Sequence, residues 1–222
     1  MSEVIIHSYF HSDWITLLFL FLFFLLTFAK IAFKNRLTDL FSIFSSKKYF
    51  LTYGKKDAGI LFNGFNAIVF TLLVGTITLL VTSYFVLYKQ DVFKSTEIHI
   101  IFMEILLYVI AYYTAKHILG IVLASFFNLK SEQLRFSFIK LSYYGCILMV
   151  FLPFILFLFY GKVNPYTSFT ITISIFSILL LIRYLFVFKN RKNIFLNRPY
   201  YFFLYLCTLE LTPLLIVLKL TI

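Results

Sequence analysis

Leu17–Leu26 reads LLFLFLFFLL, ten apolar residues in a row. A chain can cross lipid only as a helix or as a closed barrel. Barrel strands alternate apolar and polar side chains, and this run does not alternate. Extended outward, it gives Trp14–Phe33, about the 20 residues that a helix needs to span the hydrocarbon core. The fold class follows: an all-α, polytopic membrane helix bundle.

Five more segments have the same character. The six spans cover about 14–33, 60–88, 98–127, 138–160, 167–188 and 200–220, within a single integral-membrane domain of residues 1–222. Composition agrees, with 62% hydrophobic residues, 13% charged and 31 Phe. A soluble domain carries roughly 25% charged residues. These numbers exclude a soluble enzyme, a disordered tail and a disulfide-stapled secreted domain. Cys146 and Cys207 lie in apolar runs with no C-x-x-C, so small buried residues in helix packing explain them.

Charge sets the orientation. No Lys or Arg precedes the first span, whereas Lys30, Lys34 and Arg36 follow it, which reads as a retained span with its N-terminus outside. Six spans then put the C-terminus outside too. The inner loops and helix ends carry Lys30, Lys34, Arg36, Lys47, Lys48, Lys55, Lys56, Lys130, Arg135, Lys140, Arg183, Lys189, Arg191, Lys192 and Arg198, against Asp39, Asp57 and Glu132. The net charge of +11 is therefore a matter of sidedness. It is not a nucleic-acid footprint, which would need the charges on one soluble face.

Residues 34–56 form the one sizeable inner segment. Leu37, Leu40, Phe41 and Phe44 recur at i, i+3, i+4, i+7, one stripe on an amphipathic helix. The spacing predicts an interfacial helix whose Lys34, Arg36, Lys47, Lys48, Lys55 and Lys56 meet anionic inner-leaflet lipids or dock a membrane or envelope partner.

Ionisable residues inside lipid need a partner or a purpose. Glu104, Lys116, His117 and Glu210 fall within spans. At about 1.5 Å per residue, Lys116 and Glu210 each lie roughly 15 Å from the inner ends of their spans, so the two are expected to pair. The pair is either a structural register or, with Glu104, a substrate or ion relay. Asn63 and Asn66, beside Gly64, suit hydrogen bonding between closely packed helices. Pro153 and Pro213 would kink spans four and six, Pro213 close to Glu210. His7 and His11 share a helical spacing, but a metal or haem site needs further ligands, and none is expected. No cofactor is expected either.

The C-terminal string PYYFFLYLCTLELTPLLIVLK resembles the closing segment of a family of short polytopic bacterial membrane proteins known only as a domain of unknown function. Tyr205, Leu206, Cys207, Thr208, Leu209, Glu210 and Pro213 carry the likeness. The resemblance implies the inner membrane of a bacterium with two membranes, and it implies no activity. Three roles stay open. The first is a non-catalytic subunit or assembly factor of an envelope or secretion complex. The second is a small transporter or channel using Glu210 and Lys116. The third is a membrane enzyme acting on lipid or haem, although the sequence has no H-E-x-x-H, G-x-S-x-G or P-loop string.

Overall fold

The computed structural model describes residues 13–44, 48–54, 63–88, 98–127, 130–161 and 164–197. Side chains are described as far as Phe186. The expectations placed on His7, His11, Lys47, Lys55, Lys56, Glu210, Pro213 and the sixth span lie outside these residues. The described residues form seven α-helices and a short 3-10 turn, with no strand. They are α1 Asp13–Ala32, α2 Lys34–Phe41, the 3-10 turn Ser42–Phe44, α3 Lys48–Tyr53, α4 Gly64–Tyr88, α5 Ile98–Phe126, α6 Lys130–Tyr160 and α7 Pro165–Asn197. Five of them, α1, α4, α5, α6 and α7, are long and apolar enough to cross a membrane. The protein is a multi-pass helical membrane protein.

The spanning helices run up and down. At one end of the bundle Trp14 meets Phe102 at 4.9 Å, Thr16 shares a 2.7 Å hydrogen bond with Tyr160, and Tyr88 meets Tyr166 at 5.9 Å. These contacts gather the start of α1, the end of α4, the start of α5, the end of α6 and the start of α7. At the other end Phe33 meets Phe65 at 5.6 Å and Tyr49 stacks on Phe138 at 5.8 Å. Most described cations sit on helices at this second, basic end.

α4 and α6 form the centre. α4 packs on α1, α5, α6 and α7, and α6 also packs on α5, α7 and α2. Phe65, Val69, Leu72 and Leu79 of α4 meet Phe138, Cys146, Phe151 and Ile155 of α6 in one buried cluster. Small residues let helices approach closely. A Cβ added at Gly145 of α6 would stand 2.6 Å from Val69 Cγ1 of α4, and one at Gly75 of α4 would stand 3.1 Å from Leu22 Cδ2 of α1. Four buried hydroxyls are satisfied inside their own helices: Thr78, Thr82, Ser83 and Ser142 each donate to the carbonyl four residues back, at 2.8 Å. α6 stays helical through Pro153, although proline leaves the Met149 carbonyl without its helical donor.

Two helices overrun their expected spans. α6 starts at Lys130 instead of about 138, and α7 continues to Asn197 instead of about 188. The added turns are polar and basic, so they suit headgroups and water, where helix needs no lipid-facing apolar surface. α7 starts where sequence directs it: Asn164 Oδ1 accepts from Tyr166 N at 3.0 Å, and Pro165 fills the first helical position.

Within the expected interfacial segment 34–56, the described residues form two short helices, α2 and α3, and a 3-10 turn, and α2 packs against α6. Leu37 and Leu40 of the predicted stripe are buried, with Ile43 and Tyr49 beside them. Phe41 is 49% exposed, at the stripe's edge. The bundle competes with lipid for this apolar face and takes most of it.

Candidate functional site

The most unusual side chain is one that sequence reading counted only as an inner helix-end cation. Arg183 of α7 is 2% exposed and is the largest fully buried side chain described. Its Cζ lies 3.4 Å from the Tyr144 ring centroid of α6 and 5.2 Å from that of Tyr184. Cation–π attraction is strongest when desolvated, so these rings explain part of the burial. They supply no acceptor, and Arg183 Nε makes no hydrogen bond among the described residues. Tyr113 of α5 closes the neighbourhood, with its ring 6.5 Å from that of Tyr144 and within electrostatic reach of Arg183. The signal was legible. In SILLLIRYLFVF the arginine has apolar residues on both sides, which a loop cation would not.

The basic end holds a second buried arginine. Arg36, expected to dock on lipid or a partner, is 6% exposed. Its Nη2 donates to Asn66 Oδ1 at 2.9 Å, and its Cζ lies 5.1 Å from the Tyr53 ring and 4.6 Å from that of Phe65. Asn66 thus does bond between elements, whereas Asn63 sits at the start of α4, where its carbonyl accepts from Ala67 N. Of the remaining docking candidates, Lys34 is exposed, and Lys48 is exposed with its Nζ 3.1 Å from Asp39 Oδ1.

Glu104 borders a cleft between α4 and α5. The cleft is about 470 Å³, lined by Ile77, Val81, Phe85, Ile101, Glu104, Tyr108, Tyr112 and neighbouring side chains. Glu104 is exposed near the Ile98 end. Lys116 is half-buried, with Nζ 5.6 Å from the Tyr112 ring centroid. The two lie about 18 Å apart along α5, so the helix does not bring them together. His117, one turn from Tyr113 on the same face, has a buried Nε2 without a hydrogen bond among the described residues. No group of three or more His, Cys, Asp or Glu among the described residues could hold a metal ion.

The model of one family, a domain of unknown function (DUF4271), matches residues 15–221. The chain belongs to that family. The DUF4271 match covers all five described spans and the C-terminal segment with Glu210 and Pro213. No curated protein and no solved structure matches the chain.

Proposed function

We propose that this DUF4271 protein is a non-catalytic integral-membrane subunit or assembly factor of a bacterial cell-envelope or secretion complex. It would sit in the inner membrane with both termini outside and its basic end toward the cytoplasm. One observation carries the reading. The arginines drawn into the bundle are sealed: Arg183 is 2% exposed against tyrosine rings, and Arg36 is 6% exposed and bonded to Asn66. A relay or catalytic cation must be reached by its substrate, whereas these two fasten helices together. Meanwhile α5 and α7 leave most of their apolar surface open to lipid or to other spans. Basic Lys34 and Lys48 stand exposed at the end expected to meet anionic lipids or a partner.

The test is isolation from native membranes in mild detergent with mass spectrometry of what co-purifies. The proposal expects a defined set of envelope proteins in constant ratio. Repeated recovery as a lone chain would overturn it.

The cleft favours a second reading, a small transporter or channel. It places an exposed carboxylate, Glu104, on a lipid-facing groove that reaches Tyr112, the ring beside Lys116. That reading expects Glu104→Gln and Glu210→Gln to accumulate normally yet fail to complement a deletion strain. Full complementation by both would remove it.

A further inference from the structure

The cleft between α4 and α5 combines apolar walls with one charge. Its volume, about 470 Å³, falls within the roughly 300–1,000 Å³ of ligand sites. Phe85, Ile101 and Glu104 line one end, and Ile77, Tyr112 and Tyr113 line the other. From Glu104 to Tyr113 the groove follows α5 for about 13 Å. Tyr108 stands midway and is 75% exposed, so one side of the groove is open. Glu104 is the single charged residue of the lining. It has no hydrogen bond or ion pair among the described residues.

Depth decides what can meet that carboxylate. α5 has 29 residues, about 43 Å of helix against a hydrocarbon core of about 30 Å. Centred in the core, it overruns each face by about 6 Å, and Glu104 lies about 9 Å from the Ile98 end. Its carboxylate therefore reaches headgroup level, while Tyr112 and Tyr113 lie deeper, beside acyl chains. An ionised group at this depth calls for a counter-charge. Lys34, Arg36 and Lys48 stand at the opposite end of the bundle, and Lys116 is about 18 Å further along α5.

Charge complementarity then selects the occupant. The carboxylate repels a headgroup whose only charge is its phosphate. It attracts an ammonium, and a primary ammonium also donates charge-assisted hydrogen bonds to it. Glu104 and Tyr108 are one turn apart on one face of α5, so a carboxylate and an aromatic ring can flank the same cation.

We propose that this cleft seats a phospholipid with a primary-amine headgroup, of the phosphatidylethanolamine kind. The ammonium lies between Glu104 and the Tyr108 ring, and one acyl chain lies along Ile77, Val81 and Tyr112. The seat does not depend on the docking role proposed above. It would hold for a subunit or a transporter alike, and its test reads neither co-purifying proteins nor complementation.

The experiment is native mass spectrometry of the full chain in mild detergent, with phosphatidylethanolamine and phosphatidylglycerol added in equal amounts. Wild type should retain the first over the second by about fivefold, the effect of one partly screened charge pair. Glu104→Gln changes an exposed residue, so it should accumulate normally and bring the ratio to within about twofold of unity. Val81→Phe, which fills the groove, should lower retention of both lipids. Equal retention by wild type would overturn the proposal. So would a ratio unchanged in Glu104→Gln, the result expected if Lys89 or Lys94, outside the described residues, were the partner of Glu104. Lipid retention untouched in a normally accumulating Val81→Phe variant would place the lipid elsewhere and overturn the seat.

A second measurement needs no added lipid. Benzoylphenylalanine in place of Tyr108, irradiated in native membranes, should give adducts richer in phosphatidylethanolamine than the same replacement at Leu107, which is 66% exposed and off the lining. Equal lipid proportions at the two positions would overturn the proposal. Adducts at position 108 with a second copy, another protein or another segment of this chain would show that polypeptide covers the groove, and would overturn it too.

Discussion

Arg36 and Arg183 are both buried and both set against aromatic rings, yet they are held differently. Arg36 has an amide acceptor at 2.9 Å and sits at the bundle's basic end, between α2 and α4. Arg183 has a ring at 3.4 Å and no described acceptor, and it sits within the apolar part of α7. Near an interface, a neutral amide and two rings serve, because headgroups and water remain close. Within a span, the guanidinium lies in a lower dielectric, and its demand for a full counter-charge grows. The same residue type therefore reports two environments: a clasp with an amide acceptor at the basic end, and a guanidinium held against rings within a span.

The largest expected effect comes from altering Arg183. Arg183→Lys keeps the charge but loses the planar stack on Tyr144 and the fixed fork of donors. It should cost about 2 kcal/mol, the size of a desolvated cation–π contact. Arg36→Lys should cost less, about 1–1.5 kcal/mol, because an ammonium can still donate to Asn66 and reach water. Thermal or denaturant unfolding of both variants in the same detergent checks the order. Equal losses would mean that the two sites see the same dielectric, and the comparison would fail.

Asn66 sharpens it next. Asn66→Ala removes the acceptor of Arg36 Nη2, and a hydrogen bond to a charged group contributes about 1.5–3 kcal/mol. A double-mutant cycle with Arg36→Leu should show coupling of roughly 1.5 kcal/mol. The same Asn66 change should be additive with changes at Arg183, which is held against Tyr144 of α6 and Tyr184 of α7.

Much of this was legible from sequence, and what was missed has physical causes. Ten unbroken apolar residues at Leu17–Leu26 leave no fold but a helical span. Hydrophobicity alone does not say where a helix stops, so α6 and α7 overran their expected ends. The stripe Leu37, Leu40, Phe41 showed that one face wants burial, but not whether lipid or protein would bury it. Arg183 was counted by its distance from the nearest loop. That count ignores the rings at Tyr144 and Tyr184, and only packing brings Tyr144 of α6 under α7. Glu104 and Lys116 were recognised as polar groups in lipid, and the cleft beside Glu104 is a product of how α4 meets α5.

Gly145 tests whether the Arg183 site depends on the central helix pair. It follows Tyr144 directly, and its backbone faces Val69 of α4. Gly145→Ala puts a methyl 2.6 Å from Val69 Cγ1, too close for both to stay. Overpacking of this kind costs about 1–2 kcal/mol, offset slightly by alanine's helix propensity. Val69→Ala should recover most of the loss in the double variant. If relief shifts Tyr144, Gly145→Ala should also reduce the penalty of Arg183→Lys, because the stack is already loosened. Strict additivity would separate the helix contact from the arginine.

The smallest effect is expected at the basic surface, where a charge pair is open to solvent. Lys48 Nζ lies 3.1 Å from Asp39 Oδ1, with side-chain exposures of 69% and 18%. Such pairs contribute little, because water and salt screen them and two side chains lose freedom. Lys48→Ala should change stability by no more than about 0.5 kcal/mol, and the difference should shrink further between low and high salt. Arg36→Leu, 6% exposed and bonded to Asn66, should keep its larger penalty across the same salt range. Unfolding both variants at two ionic strengths reads out the contrast directly. A salt-sensitive Arg36 would place that guanidinium among the screened charges of the surface, and the division between the two arginines would then be one of depth alone.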